Sequence, residues 1–294
     1  MTNQKRSFSF LSSFSLKIIA CLLMTLDHVA LLFIPRGSGV IPTDYYVLRA
    51  IGKMAFPIFA FLAVEGVYHT KDIKKYLLRL AVFAIGLDIF GYIIGAIKGI
   101  AVSQNPLVGN AFTDIFLGVL TVYLLKKKNK YSLFAVFPVL YAFFSTYPIS
   151  VQYGTLFKAD WGFFSVVLFI TFFLAKELSI WALKRKALQE GIDERIYIDA
   201  FKLKYDKAFE IIALVTTELI FSLIWKINNT AFVLPNEFIP IGTYSTLAGL
   251  FLAFHNGKRG PSSPIIKWSF YSYYPLHLAI LGIISLFVGV LSTL

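Results

Sequence analysis

Cysteine is almost missing from this chain. Cys21 is the only one in 294 residues, which excludes an intrachain disulfide and any zinc site built on several thiolates. Charge is scarce too: Asp, Glu, Lys and Arg make up 15% of the residues, against roughly a quarter in soluble domains. So little charge cannot cover a water-facing surface, and a soluble fold is excluded. Acid is the rarer sign, with 16 Asp and Glu against 28 Lys and Arg and a net charge of +12. No internal repeat is visible, which weakens a transporter built from inverted halves. Walker A loops, Gly-rich dinucleotide fingerprints, HExxH, nucleophile elbows and CxxC pairs are also lacking. ATP-driven, zinc-protease and redox chemistry therefore have no basis in motif, and no metal site is expected.

What the chain has in abundance is apolar length. Hydrophobic residues are 57% of it and the mean hydropathy is +0.72. Continuous apolar runs cover residues 16–34, 48–68, 76–97, 111–125, 132–147, 161–182, 208–227, 239–254 and 268–291. About 20 apolar residues cross a bilayer as a helix. The fold class predicted is therefore all-α, a polytopic bundle of about nine transmembrane helices (range eight to ten) in one domain over 1–294. Strands are the weaker reading, because the runs do not alternate with period two. Lys17 interrupts what would be a signal-peptide core, and apolar sequence continues past Cys21, so the first run is read as a retained span.

The basic residues orient the bundle. With the N-terminus inside, the outer segments keep only Arg36, Arg49, Lys98, Lys158 and Lys226, Lys53 lies within a span, and the remaining lysines and arginines fall on the inner side. The basic excess is thus mostly a topology signal and not a nucleic-acid footprint. A multi-pass protein of a bacterial cytoplasmic membrane, in contact with membrane lipid, is expected. The one sizeable polar stretch, 183–207, has the pattern of a cytoplasmic amphipathic helix lying on the inner leaflet.

Ionisable groups at membrane depth are costly and tend to mark function. Asp27 and His28 sit inside the first run, with His28 about 16 Å along the helix beyond Lys17. Arg49 and Lys53, four apart, share a face at the start of the second run. Two cations near an imidazole and a carboxylate suit stabilisation of developing negative charge; snorkelling to headgroups and pairing with Asp27 is the plainer alternative. His277 lies in the last run, two residues after Pro275, with Tyr271 and Tyr274 as possible cavity walls. Asn110, Thr113, Asp114 and Asp160 collect at the outer mouth of two runs, where they could bind substrate or simply cap helices. Asp88, inside the third run, needs a partner, for which Lys53 is one option. Lys75 and Arg79 border the third run on the inner side and suit phosphate binding, or only the positive-inside rule.

Several of these stretches resemble the TraX family. They are Leu16–Ala20 with Met24, Asp27 and His28; Leu48–Phe61; Glu65-Gly66 and His69-Thr70; Tyr76–Leu80; Asn110–Thr113; Ala159–Gly162; Asn256–Gly260; and Tyr274–Leu278. They run in order over most of the chain and omit 183–207. Two positions depart from the pattern: Lys53 stands where the family usually has Arg, and Gly86–Phe90 stands in place of a polar-Pro-Phe turn.

The resemblance implies a membrane-embedded acetyltransferase, since the family's named member is linked to N-terminal acetylation of a conjugative pilin. It extends loosely to multi-span acyltransferases that use a buried His and acyl-CoA. On that footing His28 is the expected general base and Asp27 its orienting or tuning partner. Arg49 and Lys53 hold the oxyanion, and His277 assists the leaving thiolate or lines the pocket. Acetyl-CoA would place its phosphates near Lys75 and Arg79. An extracytoplasmic peptide or glycan acceptor would meet Asn110, Thr113, Asp114, Asp160 and Tyr274. Two other classes stay open: a proton- or ion-coupled transporter with Asp27, His28, Asp88 and His277 as relay, and a non-catalytic envelope assembly partner.

Overall fold

Each apolar run becomes helix. The computed structural model describes residues 9–34, 42–98, 109–146, 159–228 and 243–288; the ends of three runs (147, 239–242 and 289–291) lie outside them. The helices are α1 (Ser13–Phe33), α2 (Thr43–Gly52), α3 (Ala55–His69), α4 (Ile73–Lys98) and α5 (Ala111–Lys126). They continue as α6 (Val136–Thr146), α7 (Gly162–Glu190), α8 (Glu194–Asn228), α9 (Ala248–Ala253) and α10 (Pro264–Val288). Short 3₁₀ turns, Lys130–Ala135 and Thr243–Leu247, lead into α6 and α9. Among the described residues there are no strands, only isolated bridges at Leu11–His255 and Asn110–Ala159.

Among the described residues, four segments are long and apolar enough to cross a membrane: Ser13–Phe33, Thr43–His69, Ile73–Ile93 and Gly162–Glu190. Lys130–Ser145 and Tyr244–Ala253 are shorter apolar helices. On α4 the large side chains Leu78, Val82, Ile85, Ile89 and Ile93 recur every three or four residues and are exposed. A stripe like that is a liability in water and the normal lining toward lipid.

Local chemistry sets the helix ends. Ser12 caps α1, its hydroxyl accepting from the Ser15 N–H at 3.2 Å, and Ser263 does the same for α10 through Ile266 at 3.1 Å, with Pro264 next to it in the first helical position. The second apolar run is broken between α2 and α3 at Lys53 and Met54. Pro57 explains the break: its ring cannot accommodate the carbonyl four residues earlier, that of Lys53, and it brings no N–H to bond it. The 183–207 stretch is also divided and does not form one amphipathic helix. Gly191, at φ 68°, ends α7 in the left-handed region that favours glycine. Ile192 N–H then reaches back to the Ala187 carbonyl at 3.0 Å, and α8 begins at Glu194. Leu183 and Ala187 of α7 bury against Tyr197 of α8, so the stretch is the closed end of a helical hairpin.

The chain forms two compact units, one of residues 1–58, 174–215 and 244–294, the other of 59–173 and 216–243. In the first, α7 and α8 are joined below their hairpin by a buried ionic cluster. Lys176 lies 3.1 Å from Glu210 and 3.8 Å from Asp206, and Asp206 also bonds Ser179 and Lys202. In the second, Gly118 lets the Phe169 ring press onto the α5 backbone, where any Cβ would overlap it. Leu117, Ala142, Ala159 and Val166 fill the space beside it.

Removing the cation from a buried pair leaves an uncompensated charge, at a cost of about 3–5 kcal/mol. Lys176→Ala should therefore lower the thermal unfolding midpoint in detergent by several degrees. An unchanged midpoint would show that Asp206 and Glu210 do not depend on Lys176.

Candidate functional site

In the first unit α1 and α10 run side by side in the same direction. Phe14 meets Phe270 edge-on at 5.8 Å between ring centres, the Tyr273 hydroxyl lies 2.6 Å from Thr25 Oγ1, and His28 meets His277 farther along. The two imidazoles are stacked at 4.9 Å, with His28 Nδ1 2.7 Å from His277 Nε2.

The proton on each ring follows from one backbone group. His277 Nδ1 lies 2.8 Å from the carbonyl oxygen of Tyr273, and a carbonyl only accepts. His277 Nδ1 therefore carries a proton, and in the neutral ring its Nε2 is a lone pair. That lone pair accepts from His28, which fixes the His28 proton on Nδ1. The remaining nitrogen, His28 Nε2, is left as a bare acceptor with no hydrogen-bond partner among the described residues. His277 is buried and His28 half-buried.

Aromatic rings hold the pair. Tyr273 stacks on His277 at 5.1 Å, and Tyr274 stands edge-on to His28 at 6.0 Å and to His277 at 5.6 Å. Tyr274 thus lies against both imidazoles, whereas Tyr271 packs on Trp268 at 5.9 Å. Tyr273 and Thr25 were missed. Tyr273 lies four residues before His277 and so shares its face, the one cue in the sequence that points to it.

Asp27 turns to the cations. Its Oδ2 accepts from Arg49 at 2.6 Å and lies 3.5 Å from the Lys53 ammonium. The three side chains are nearly buried, at 11–13% exposure, so the pairing is shielded from water. Gly52 makes it possible: any Cβ there would run into the Asp27 Cβ and backbone. The helix ends Arg49 and Lys53, one turn apart, are thereby brought onto one carboxylate. Asp27 Oδ1 and Arg49 Nε are buried with no hydrogen-bond partner. The group bonded to His28 is His277, and Asp27 is bonded to the α2 arginine and Lys53.

The remaining sequence candidates lie in the second unit. Asn110 caps α5 by accepting from the Thr113 N–H at 3.1 Å, and its amide donates to Asp88 at 2.8 Å and to the Ala84 carbonyl at 3.2 Å. Asp88 thus pairs with Asn110, while Lys53 goes to Asp27. Asp114 accepts backbone N–H groups of Asp160, Trp161 and Gly162 at 2.8, 3.0 and 2.9 Å, so it caps the start of α7 from α5. Asn110, Thr113 and Asp114 are buried and the Asp160 side chain is exposed. Lys75 and Arg79 lie one turn apart on α4. Lys75 pairs with Asp72 at 3.3 Å, and the Arg79 guanidinium lies over Tyr76. The hydrogen bond from the Lys75 N–H, joined by its ammonium, holds the exposed Asp72 carboxyl below its ordinary value.

A family model described as TraX protein matches residues 12–187, α1 through most of α7. The chain belongs to the TraX family. The TraX match takes in Asp27, His28, Arg49 and Lys53, and stops short of α10 with Tyr273, Tyr274 and His277. A "Probable fimbrial assembly protein FimC, serogroup H1" of Dichelobacter nodosus is 27% identical over 273 residues, 92% of this chain and 94% of that protein. No solved structure matches the chain.

Two measurements check this geometry. Ring ¹⁵N spectra of histidine-labelled protein at neutral pH should show Nδ1–H tautomers for His28 and His277; an Nε2–H tautomer at His277 would refute the proton order. Gly52→Val should destabilise the fold by roughly 1–3 kcal/mol through overpacking, seen as a lower unfolding midpoint. A midpoint equal to wild type would mean that α1 and α2 are not in backbone contact.

Proposed function

We propose that this TraX-family chain is an integral membrane acyltransferase of the bacterial cytoplasmic membrane, carrying an acetyl group from cytoplasmic acetyl-CoA to an amine or hydroxyl acceptor at the outer face. The observation that carries the reading is the proton order Tyr273 carbonyl, His277, His28, which leaves His28 Nε2 bare. A positioned imidazole of that kind is a general base held by a second group, an arrangement suited to acyl transfer.

In the step proposed, the acceptor N–H or O–H gives its proton to His28 Nε2 as the acceptor atom bonds the thioester carbon. The His28 imidazolium then strengthens its Nδ1–H bond to His277, a positioning residue here. The oxyanion of the tetrahedral intermediate is met by Arg49 and Lys53, whose charge Asp27 holds in place; Arg49 Nε, lacking a partner, is the donor offered. Collapse breaks the carbon–sulfur bond, and the proton on His28 Nε2 passes to the departing thiolate. Tyr274, edge-on to both rings, walls the reacting centre.

A topology of about nine crossings with the N-terminus inside fits this chemistry. Parallel spans such as α1 and α10 must be separated by an odd number of crossings, as a first and a ninth are. The fimbrial assembly role named for the D. nodosus relative favours a pilin-like peptide N-terminus as acceptor, ahead of an envelope glycan. Of Asn110, Thr113, Asp114 and Asp160, the residues proposed to meet the acceptor, Asn110 and Asp114 already spend their oxygens on backbone N–H groups, which leaves the hydroxyl of Thr113 and the carboxylate of Asp160 for that role.

His28→Ala should cut acetyl transfer by roughly 100-fold or more while the protein stays folded in the membrane. The readout is mass spectrometry of envelope peptides and glycans from cells with and without the intact chain. Undiminished acetylation in the variant would overturn the assignment.

A further inference from the structure

The α1–α10 seam carries a second bond beside the histidine pair. About one turn before it, Thr25 of α1 faces Tyr273 of α10, with 2.6 Å between their hydroxyl oxygens. Thr25 stands three residues before His28 and Tyr273 four before His277, so each shares a helix face with its imidazole. Two rungs of nearly equal length therefore join the helices, 2.6 Å at the hydroxyls and 2.7 Å at the rings.

One carbonyl also sets the direction of the hydroxyl rung. Thr25 Oγ1 donates to the Cys21 carbonyl at 3.0 Å, which spends its single proton. The Thr25 oxygen is then the acceptor and the Tyr273 O–H the donor, with the Cys21 carbonyl a longer second acceptor at 3.4 Å. Tyr273 thus holds His277 in two ways. Its carbonyl takes the His277 Nδ1–H at 2.8 Å, and its ring lies on the imidazole at 5.1 Å with 15° between the planes. The far end of that ring is the hydroxyl tied to Thr25.

We infer that Tyr273 is a positioning residue for His28, acting through His277, and that Thr25 is the anchor that fixes it. The inference rests on the reading of His28 as general base. In the proposed cycle His28 gains and loses a proton, so the ring rung changes strength at every turnover. The hydroxyl rung has no group that titrates near neutral pH and holds α1 and α10 in register throughout. Apolar contact sets such a register poorly in lipid. Without the hydroxyl, the carbonyl and ring of residue 273 stay in place, but α10 is free to shift against α1. The bond that keeps the His28 proton on Nδ1 is then the one that weakens.

The test is Tyr273→Phe in the full-length chain. Ring ¹⁵N spectra of histidine-labelled protein in nanodiscs are read beside the unfolding midpoint and the rate at which acetylated envelope peptides and glycans accumulate in cells after induction, followed by mass spectrometry. His277 should remain an Nδ1–H tautomer, because its carbonyl partner is intact, while His28 becomes a mixture of Nδ1–H and Nε2–H. Acetyl transfer should slow roughly tenfold or more, short of the loss on removing the base itself. Thr25→Val should move both readouts in the same direction, and Thr25→Ser, which keeps the hydroxyl, should hold them at wild type. The double variant Y273F/T25V should be no slower than the slower single, as for two ends of one bond. The inference is overturned if His28 in Y273F stays wholly Nδ1–H and only the midpoint falls, which would make the hydroxyl a structural tie alone. It is also overturned if transfer in Y273F matches wild type. Wild type that transfers no acetyl would instead remove the acyl-transfer reading itself, and this inference with it.

Discussion

A single lone pair, on the carbonyl oxygen of Tyr273, governs the protons on two imidazoles. It takes the His277 Nδ1–H at 2.8 Å, and the His28–His277 bond at 2.7 Å then has only one direction left. Helix carbonyls are normally spent within the helix, so the choice of this one is informative. Pro275 two residues later, inside the continuous α10, has no N–H to give to the Tyr271 carbonyl one turn earlier. A side chain four residues away, packed under the Tyr273 ring, is well placed to add its own bond. Rigid orientation of a weak base follows from ordinary helix geometry and needs no carboxylate next to the ring.

Five buried acids among the described residues share one arrangement: each is met across a helix interface. Asp27 is met by Arg49 and Lys53, Asp88 by Asn110, Asp114 by three backbone N–H groups, and Asp206 and Glu210 by Lys176. Burial makes each arrangement costly to leave half-made. The same arrangement gives the helices their neighbours, since apolar contact alone selects poorly among helices bathed in lipid. Glycine supplies closeness, for the Asp27 pairing at Gly52 and for apolar packing at Gly118 against Phe169.

Much of this was legible in the sequence. The apolar runs gave the helices because no other structure satisfies a long apolar backbone in lipid, and the family likeness was carried by short motifs in order. Asp27, His28, Arg49, Lys53 and His277 stood out because a charge or an imidazole in such a run is conspicuous. Their wiring did not. His28 and His277 are 249 residues apart, and no local pattern shows which ring or cation will meet which acid. Asn110 and Asp114 illustrate a different limit: Asn and Asp at the mouth of a helix look the same whether they cap a backbone or hold a ligand, and here their oxygens go to backbone. The α2–α3 break is written in Pro57 and the split of 183–207 in Gly191, each a local signal that the hydrophobic pattern continuing across it conceals.

The separation of the two histidines also has a temporal side. Nascent chains emerge at about 5–20 residues per second, so α1 stands in the bilayer for on the order of ten seconds or more before α10 is even synthesised. Throughout that interval the His28 ring has no counterpart to fix its proton. The order of the two ring protons is thus the last feature of this seam to be set, and it waits on the final helix of the chain.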